Sequence, residues 1–449
     1  MLLRNVLRGL LIVFCILPGA SVSEDSGTLG CQYDYDLDGD VDGLDLQVFA
    51  QQFDNFDLDL FANYFGHNTC ALSPLVPEDI DLGLSDDQQQ GGGGLVGDTV
   101  RILNGNTVLL RSDIAFASPH THGLPFQTTY NSQSDFAGSA GFGWTHTYDA
   151  FLIPGFAWDG QTFLKILDHT GRAHYFRQDA PGVFKGEFKE RSHVEAESGG
   201  YVWYRLDGSR YGFADTGRLD WIADEKGNRL SLGYDAQSRL ETVGDSAGGR
   251  LLTLHYAGGM LDHISGPITA AVSDGVWVSY EYDSYQNLVS VDYADGSGFI
   301  YTYTDPDDVH NLTARRNKAD HLLNTWAYDS QDRCIDNYSV NGTGVTIDYV
   351  SGIQVDVTDA YGTLRTYEVS EISGRKRVTA LQGAVAAPYD ENNIVRWQYD
   401  TNLNLIEVET AGGAIHQYQN YDERGNPQTV VLASAHWNSA RLFTLIIQQ

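Results

Sequence analysis

Along most of the chain, apolar and polar residues alternate and the alternation runs repeatedly into a tyrosine. Leu230, Leu232 and Tyr234 share one face. So do Leu252/Leu254/Tyr256, Val278/Tyr280/Tyr282, Phe299/Tyr301/Tyr303, Val345/Ile347/Tyr349 and Val395/Trp397/Tyr399. A period of two marks a strand with one buried face. Asp follows the tyrosine at Tyr234-Asp235, Tyr282-Asp283, Tyr328-Asp329, Tyr399-Asp400 and Tyr421-Asp422, and Arg or Asn stands four residues further on at Arg239, Asn287, Arg333, Asn404 and Asn426. Asp favours turns because its carboxylate bonds the backbone ahead of it. Gly217, Gly227, Asn287 and Gly425 are expected to carry the chain round, and Asp207-Gly208 and Asp295-Gly296 read as hairpin turns.

Weaker copies stand at Phe213, Tyr256, Tyr303 and Tyr349. The steps from 213 through 234, 256, 282, 303 and 328 to 349 are 21, 22, 26, 21, 25 and 21, and Tyr399 to Tyr421 is 22. A period near 20 signals a repeat architecture. One hairpin cannot bury its face alone, so the units must stack. The fold expected is mainly β: a spiralling antiparallel β-hairpin repeat sheet over 201–431, preceded by a leading module over 98–200, with 98–431 forming one continuous, strongly twisted sheet. The spiral is expected to leave an exposed edge. Residues 432–449, with the apolar run Phe443 to Ile447, fit no repeat and read as a closing strand or the scar of a truncated frame.

The N-terminal part has a different texture. Residues 1–23 carry Arg4 and Arg8, a short apolar run from Leu10 to Leu17, and small residues at Ser21-Val22-Ser23, which is the layout of a secretory signal. The run is too short to span a bilayer comfortably, and no later segment qualifies, so no transmembrane anchor is expected after cleavage. Asp34, Asp36, Asp38, Asp42 and Asp45 occupy positions 1, 3, 5, 9 and 12 of a loop with Gly39 at position 6. Alternate carboxylates converge on one point, Asp40 offers its backbone carbonyl, and the ring of oxygens suits Ca²⁺. Leu46, Phe49, Ala50 and Phe53 then mark one helical face, repeated at Leu58, Phe61, Ala62 and Phe65 without a second loop. A small α-helical calcium-binding module is therefore expected over 31–70. In an oxidising compartment Cys31 pairs naturally with Cys70, which brackets the same module and leaves Cys334 reduced. Residues 71–97, rich in Gly, Gln and acids, read as a linker.

Charge narrows the partners. Lys and Arg number 28 against 60 Asp and Glu, a net charge of −32. Such a chain repels nucleic acid and anionic membranes and attracts cations. The chemistry for catalysis is thin: no G-x-S-x-G elbow, phosphate loop or zinc spacing occurs. His120 and His122 lie two apart without a local acidic or Cys partner, and His146 beside Trp144 and Tyr148 reads as packing.

Residues 31–70 resemble dockerin and related EF-hand-type repeats, whose loops carry D-x-D-x-D-G before a Leu-rich helix. The tyrosine units are similar to those of Rhs/YD-repeat proteins, roughly G-x3-Y-x-Y-D-x2-G-R-L. Gly123-Leu124-Pro125-Phe126-Gln127, Tyr130-Asn131-Ser132 and Gly141-Phe142-Gly143-Trp144-Thr145-His146 look like the module that precedes such repeats. The resemblance implies a β-sheet spiral which, in larger relatives, forms a hollow shell around a C-terminal toxin. Toxin-bearing relatives end the repeats with a longer core, a self-cleavage segment and a variable domain, whereas this chain stops 27 residues after Asp422. The function expected is an exported scaffold or interaction protein with a calcium module, a protein or glycan partner, and no catalysis of its own. One alternative is a truncated member of an Rhs polymorphic toxin delivery system. Another is a glycan-binding or cohesin-recruited component of a polysaccharide-processing complex.

Overall fold

The computed structural model describes residues 95–446 apart from 98, 117–122, 159–160, 247, 384–393, 423–424 and 434–441. The signal, the acidic loop with Asp34, Asp36, Asp38, Asp40, Asp42 and Asp45, the Cys31 and Cys70 pair, and the His120 and His122 pair lie outside the described residues. All described residues belong to the unit Val76–Gln449. Every regular element among them is a strand.

From Phe151–Trp158 to Leu442–Ile446, 27 strands follow one another in sequence order, each antiparallel to the next. The continuous sheet thus starts at Phe151, ahead of the repeats read from the sequence, and takes in the tail strand. The alternation decides which face is buried. Leu230, Leu252, Leu254, Val278, Tyr280, Tyr301, Val345, Ile347 and Trp397 are all buried, and Tyr234, Tyr256, Tyr282, Tyr303, Tyr328, Tyr349 and Tyr399 pack against them.

The sheet curls for a local reason. A bulge falls just before the motif tyrosine in unit after unit: Gly233/Tyr234, His255/Tyr256, Glu281/Tyr282, Ala327/Tyr328 and Gln398/Tyr399. Each bulge adds an unpaired residue and steepens the right-handed twist. Repeated in most units, it rolls the sheet up, and the strand order closes on itself like a barrel. The closing backbone contact is made by the first strand: Phe151 bridges Arg218, and the Leu152 N–H donates to the Gly217 carbonyl at 2.9 Å. The first edge is thus partly covered by a later turn.

Residues 95–146 do not join the large sheet, against the expectation of one continuous sheet from 98. They form a three-stranded sheet, Val108–Phe116, Leu124–Asn131 and Trp144–His146, with two-residue ladders at Leu95–Val96/Val100–Arg101 and Ala137–Gly138/Gly141–Phe142. This module is seated on the core face of the repeats.

Candidate functional site

The Tyr-Asp turns are the units from which any site must be built, and each motif residue has a bond that explains it. One oxygen of Asp329 accepts the backbone N–H groups of Gln331 and Arg333, and its other oxygen accepts the Arg333 guanidinium at 2.6 and 2.9 Å. Asp235, Asp283, Asp400 and Asp422 repeat the arrangement with Arg239, Asn287, Asn404 and Asn426. These bonds lower the Asp235 and Asp329 carboxyls against the raising effect of burial. The Arg then lies over the next tyrosine: Arg239 over Tyr256 at 4.5 Å and Arg333 over Tyr349 at 4.3 Å.

The residue just before that Arg or Asn takes left-handed backbone: Ser238, Gln286, Asp332, Leu403 and Gly425. At the second of these turns the sequence reading is corrected, because Gln286 rather than Asn287 turns the chain; Asn287 is committed to Asp283.

The tyrosine hydroxyls tie one unit to the one before. Tyr256 donates to the Leu240 carbonyl, Tyr303 to Leu288, Tyr328 to Leu312 and Tyr349 to Cys334, at 2.6 to 3.1 Å. Tyr234 and Tyr421 make the same bond to Leu219 and Leu405. Tyr282 differs: its hydroxyl reaches the Ser139 carbonyl in the leading module.

That exception marks where the leading module docks. It takes up backbone groups at successive turns: Leu261 N–H donates to the Ser139 carbonyl, Phe142 N–H to Gln286, and Cys334 N–H to Gly105. Tyr130 Oη donates to the His310 carbonyl and accepts from Leu312 N–H. Phe142 stacks on His310 at 3.6 Å.

Behind this row sits a buried polar knot. Arg111 is bonded to Asp113 at 2.5 and 2.9 Å, both side chains being almost fully enclosed. Tyr280 and Tyr293 donate to the Asp113 carboxylate, and Arg111 donates to Tyr301 Oη. A buried ion pair left unsatisfied is costly. Here the repeats supply the three phenols that satisfy it, so the module's position is specified by them.

A second knot joins the first hairpins. His174 is held between the Asp168 and Glu190 carboxylates, with Ser192 bonded to Glu190 and the Trp203 indole donating to Ser192 at 2.6 Å. Burial alone would lower the imidazole pKa, but the two carboxylates overcome it and raise it. Both ring nitrogens are donors to carboxylates, so no lone pair remains for base catalysis. Ser192, His174 and Asp168 supply the residue types of a hydrolytic triad, but the hydroxyl bonds Glu190 and not the imidazole. His146, 2% exposed, lies 3.2 Å from Asp149 and 5.0 Å from the Phe126 ring, a packed position as expected. Cys334 is a buried free thiol, pushed up to about 12 chiefly by burial. No group of three or more His, Cys, Asp or Glu side chains able to hold a metal occurs among the described residues.

An open polar groove of about 520 Å³ runs over strands Ile394–Tyr399, Leu405–Thr410 and Ile415–Tyr421. Gln398 and Gln417 each donate to Glu407 at 2.8 Å, forming a ladder across it. The sequence reading did not single these residues out, because Gln and Glu on an outward strand face look like ordinary surface.

The fold and its turns define an antiparallel repeat protein built on Tyr-Asp units. Residues 97–176 match the family described as Domain of unknown function (DUF6531). The chain is 23% identical over 348 residues to the protein named Probable deoxyribonuclease RhsB from Dickeya dadantii (strain 3937), covering 76% of this chain and 23% of that protein. It is 26% identical over 286 residues to Double-stranded DNA deaminase toxin A from Burkholderia cenocepacia (strain H111), covering 60% of this chain and 19% of that one. The chain thus spans a quarter or less of the length of these relatives. Among solved structures, a Photorhabdus luminescens Tc holotoxin pore aligns with 76% of this chain and 26% of its own at 10% identity and a TM-score of 0.29, too low to carry an argument. The chain is thus similar to an Rhs-named protein over 348 residues and to the DUF6531 family over residues 97–176.

Proposed function

We propose that this chain is the repeat scaffold of an Rhs-type toxin delivery system, and that it works as a structural carrier rather than a catalyst. Its two relatives are named for DNA cleavage and DNA deamination, and they share with it a stretch that is a minor part of their own length. The observation that carries the reading is that the conspicuous motif residues are all consumed by structure. The tyrosine hydroxyls are given to backbone carbonyls, the aspartates to turn N–H groups and their Arg or Asn partners, and the leading module occupies backbone groups at several of the turns. Purified full-length chain is expected neither to cut nor to deaminate double-stranded DNA, and its expression is expected not to arrest growth. DNA cleavage, deamination or growth arrest abolished by one carboxylate or histidine substitution would sink the proposal.

The N-terminal features extend it. Residues 1–23 direct export, and Ca²⁺ held by Asp34, Asp36, Asp38, Asp42 and Asp45 with the Asp40 carbonyl orders residues 31–70, closed by Cys31–Cys70. No helix among the described residues is long and apolar enough to cross a membrane. A second reading, glycan contact, is favoured by the Gln398–Glu407–Gln417 ladder with Tyr418 in the same groove, since amides, carboxylates and aromatic rings are the groups that hold sugars. Retention on a glycan array, lost in Glu407→Ala, would support it.

A further inference from the structure

On the outward face of the sheet, strands Arg250–Ala257 and Met260–Ser265 place His255 directly opposite His263. Their neighbours Leu254 and Ile264 are buried, which turns the two imidazoles outward. The connecting turn is Gly258-Gly259, both at positive φ, so the register is fixed a few residues from the pair. The rings stack with centroids 4.2 Å apart and planes 11° apart.

Each ring has one nitrogen held. His263 Nδ1 is 2.7 Å from Asp262 Oδ2, and His255 Nε2 is 2.8 Å from Ser265 Oγ. A carboxylate can only accept, so His263 donates from Nδ1 and presents its lone pair at Nε2. Ser265 accepting from His255 Nε2–H leaves the lone pair of that ring at Nδ1. A carboxylate behind a histidine is the arrangement that orients a metal-ligating imidazole and raises its basicity. The titratable groups facing His255 are His263, Asp262 and Glu241.

We propose that His255 and His263 form an exchangeable surface site for a divalent transition metal of the zinc or copper class, with His263 Nε2 and His255 Nδ1 as ligands and Asp262 as a positioning residue. Metal–nitrogen bonds of about 2.0–2.1 Å in tetrahedral geometry place two ligand nitrogens roughly 3.4 Å apart. The near-parallel rings, with centroids 4.2 Å apart, would turn about their Cβ–Cγ bonds on binding until the two lone pairs converge, and the exposed Asp262 side chain can follow His263 Nδ1. Imidazole selects zinc and copper over calcium, which takes oxygen. Two protein ligands leave positions open to water or to a donor from a partner, so the site is weaker than a closed structural zinc site. It is chemically distinct from the all-oxygen loop of Asp34 to Asp45.

The test uses the full chain, Cu²⁺ electron paramagnetic resonance and Zn²⁺ competition with a chelating dye. Wild type is expected to show one Cu²⁺ with two imidazole nitrogens. His255→Ala or His263→Ala should leave one nitrogen and weaken Zn²⁺ at least about tenfold, and the double variant should lose the site. Asp262→Asn should weaken Zn²⁺ about 10–100-fold while keeping both nitrogens. Wild-type affinity should fall below about pH 6, where protons compete for the rings. His263→Gln, which still bonds Asp262, replaces the alanine variant if circular dichroism shows that Ala disturbs the hairpin. Equal Zn²⁺ binding by wild type and double variant, or a Cu²⁺ spectrum without two nitrogens in wild type, overturns the proposal.

Discussion

Tyr328 offers the sharpest test of how the repeats are held together. Its ring packs against the core beside buried Trp326, and its hydroxyl donates to the Leu312 carbonyl at 2.9 Å. Leu312 is fully buried, and its N–H is already given to Tyr130 Oη. Tyr328→Phe keeps the ring and strands that carbonyl, at a cost of about 1–2 kcal/mol for a buried acceptor left unpaired. Tyr328→Ala also removes the ring. Complete burial would set that loss at about 3–5 kcal/mol, and the half-buried position places it near the lower end. Tyr361→Phe is the control: that residue is 89% exposed and should change stability by less than about 0.5 kcal/mol. Urea unfolding by circular dichroism gives the midpoints. Hydrogen exchange at Leu312 and its neighbours reports the local loss, since long repeat arrays need not unfold in one step. If Tyr328→Phe costs no more than Tyr361→Phe, the hydroxyl-to-carbonyl tie between units is not what stabilises the array.

Four further outcomes follow from the same structure. Asp329→Ala removes the acceptor of two turn N–H groups and should cost about 1–2 kcal/mol in the same urea series, whereas Asp329→Asn, which keeps one side-chain oxygen, should cost less. Gly217→Ala should cost about 2–4 kcal/mol and loosen the curl, because φ is +85° and a Cβ would sit 1.8 Å from the Leu152 carbonyl oxygen; an unchanged melting temperature would contradict the closure. His174 has a raised pKa while Asp168 and Glu190 have lowered ones, all by their mutual bonds acting against burial. The histidine's contribution is complete below its unfolded pKa and is lost as pH rises through the folded value. The carboxylates' contribution is complete above their unfolded values and is lost in strong acid. The difference in melting temperature between wild type and His174→Gln should therefore be largest near pH 5–6 and shrink in alkali; parallel curves would count against the triad. Isothermal titration of the full chain with Ca²⁺ should show one site that Asp34→Ala or Asp38→Ala weakens severely, and absence of that site in wild type would remove calcium from the proposed function.

The repeat was legible in the sequence because its determinants are local. A period of two fixes the buried face of a strand, and Asp followed four residues on by Arg or Asn fixes a turn, whatever the rest of the chain does. The count and spacing of units, the mainly β fold and the inward Tyr, Leu, Val and Trp rows follow from those two rules. The bulge before most of the tyrosines was not legible, since an extra residue in one strand shows only when its partner is laid beside it. That bulge decides the curl. Arg111 and Asp113 looked like any charged pair on a strand and gave no sign of burial. Tyr280, Tyr293 and Tyr301, some 170 to 190 residues away, complete them, and only the rolled sheet brings those phenols to one point. His255 and His263 went unread for a related reason: they stand eight residues apart in sequence, and only hairpin register sets one imidazole on the other. What depends on neighbours in sequence was therefore determined by the sequence pattern, and what depends on neighbours in space was decided by how the twist accumulates.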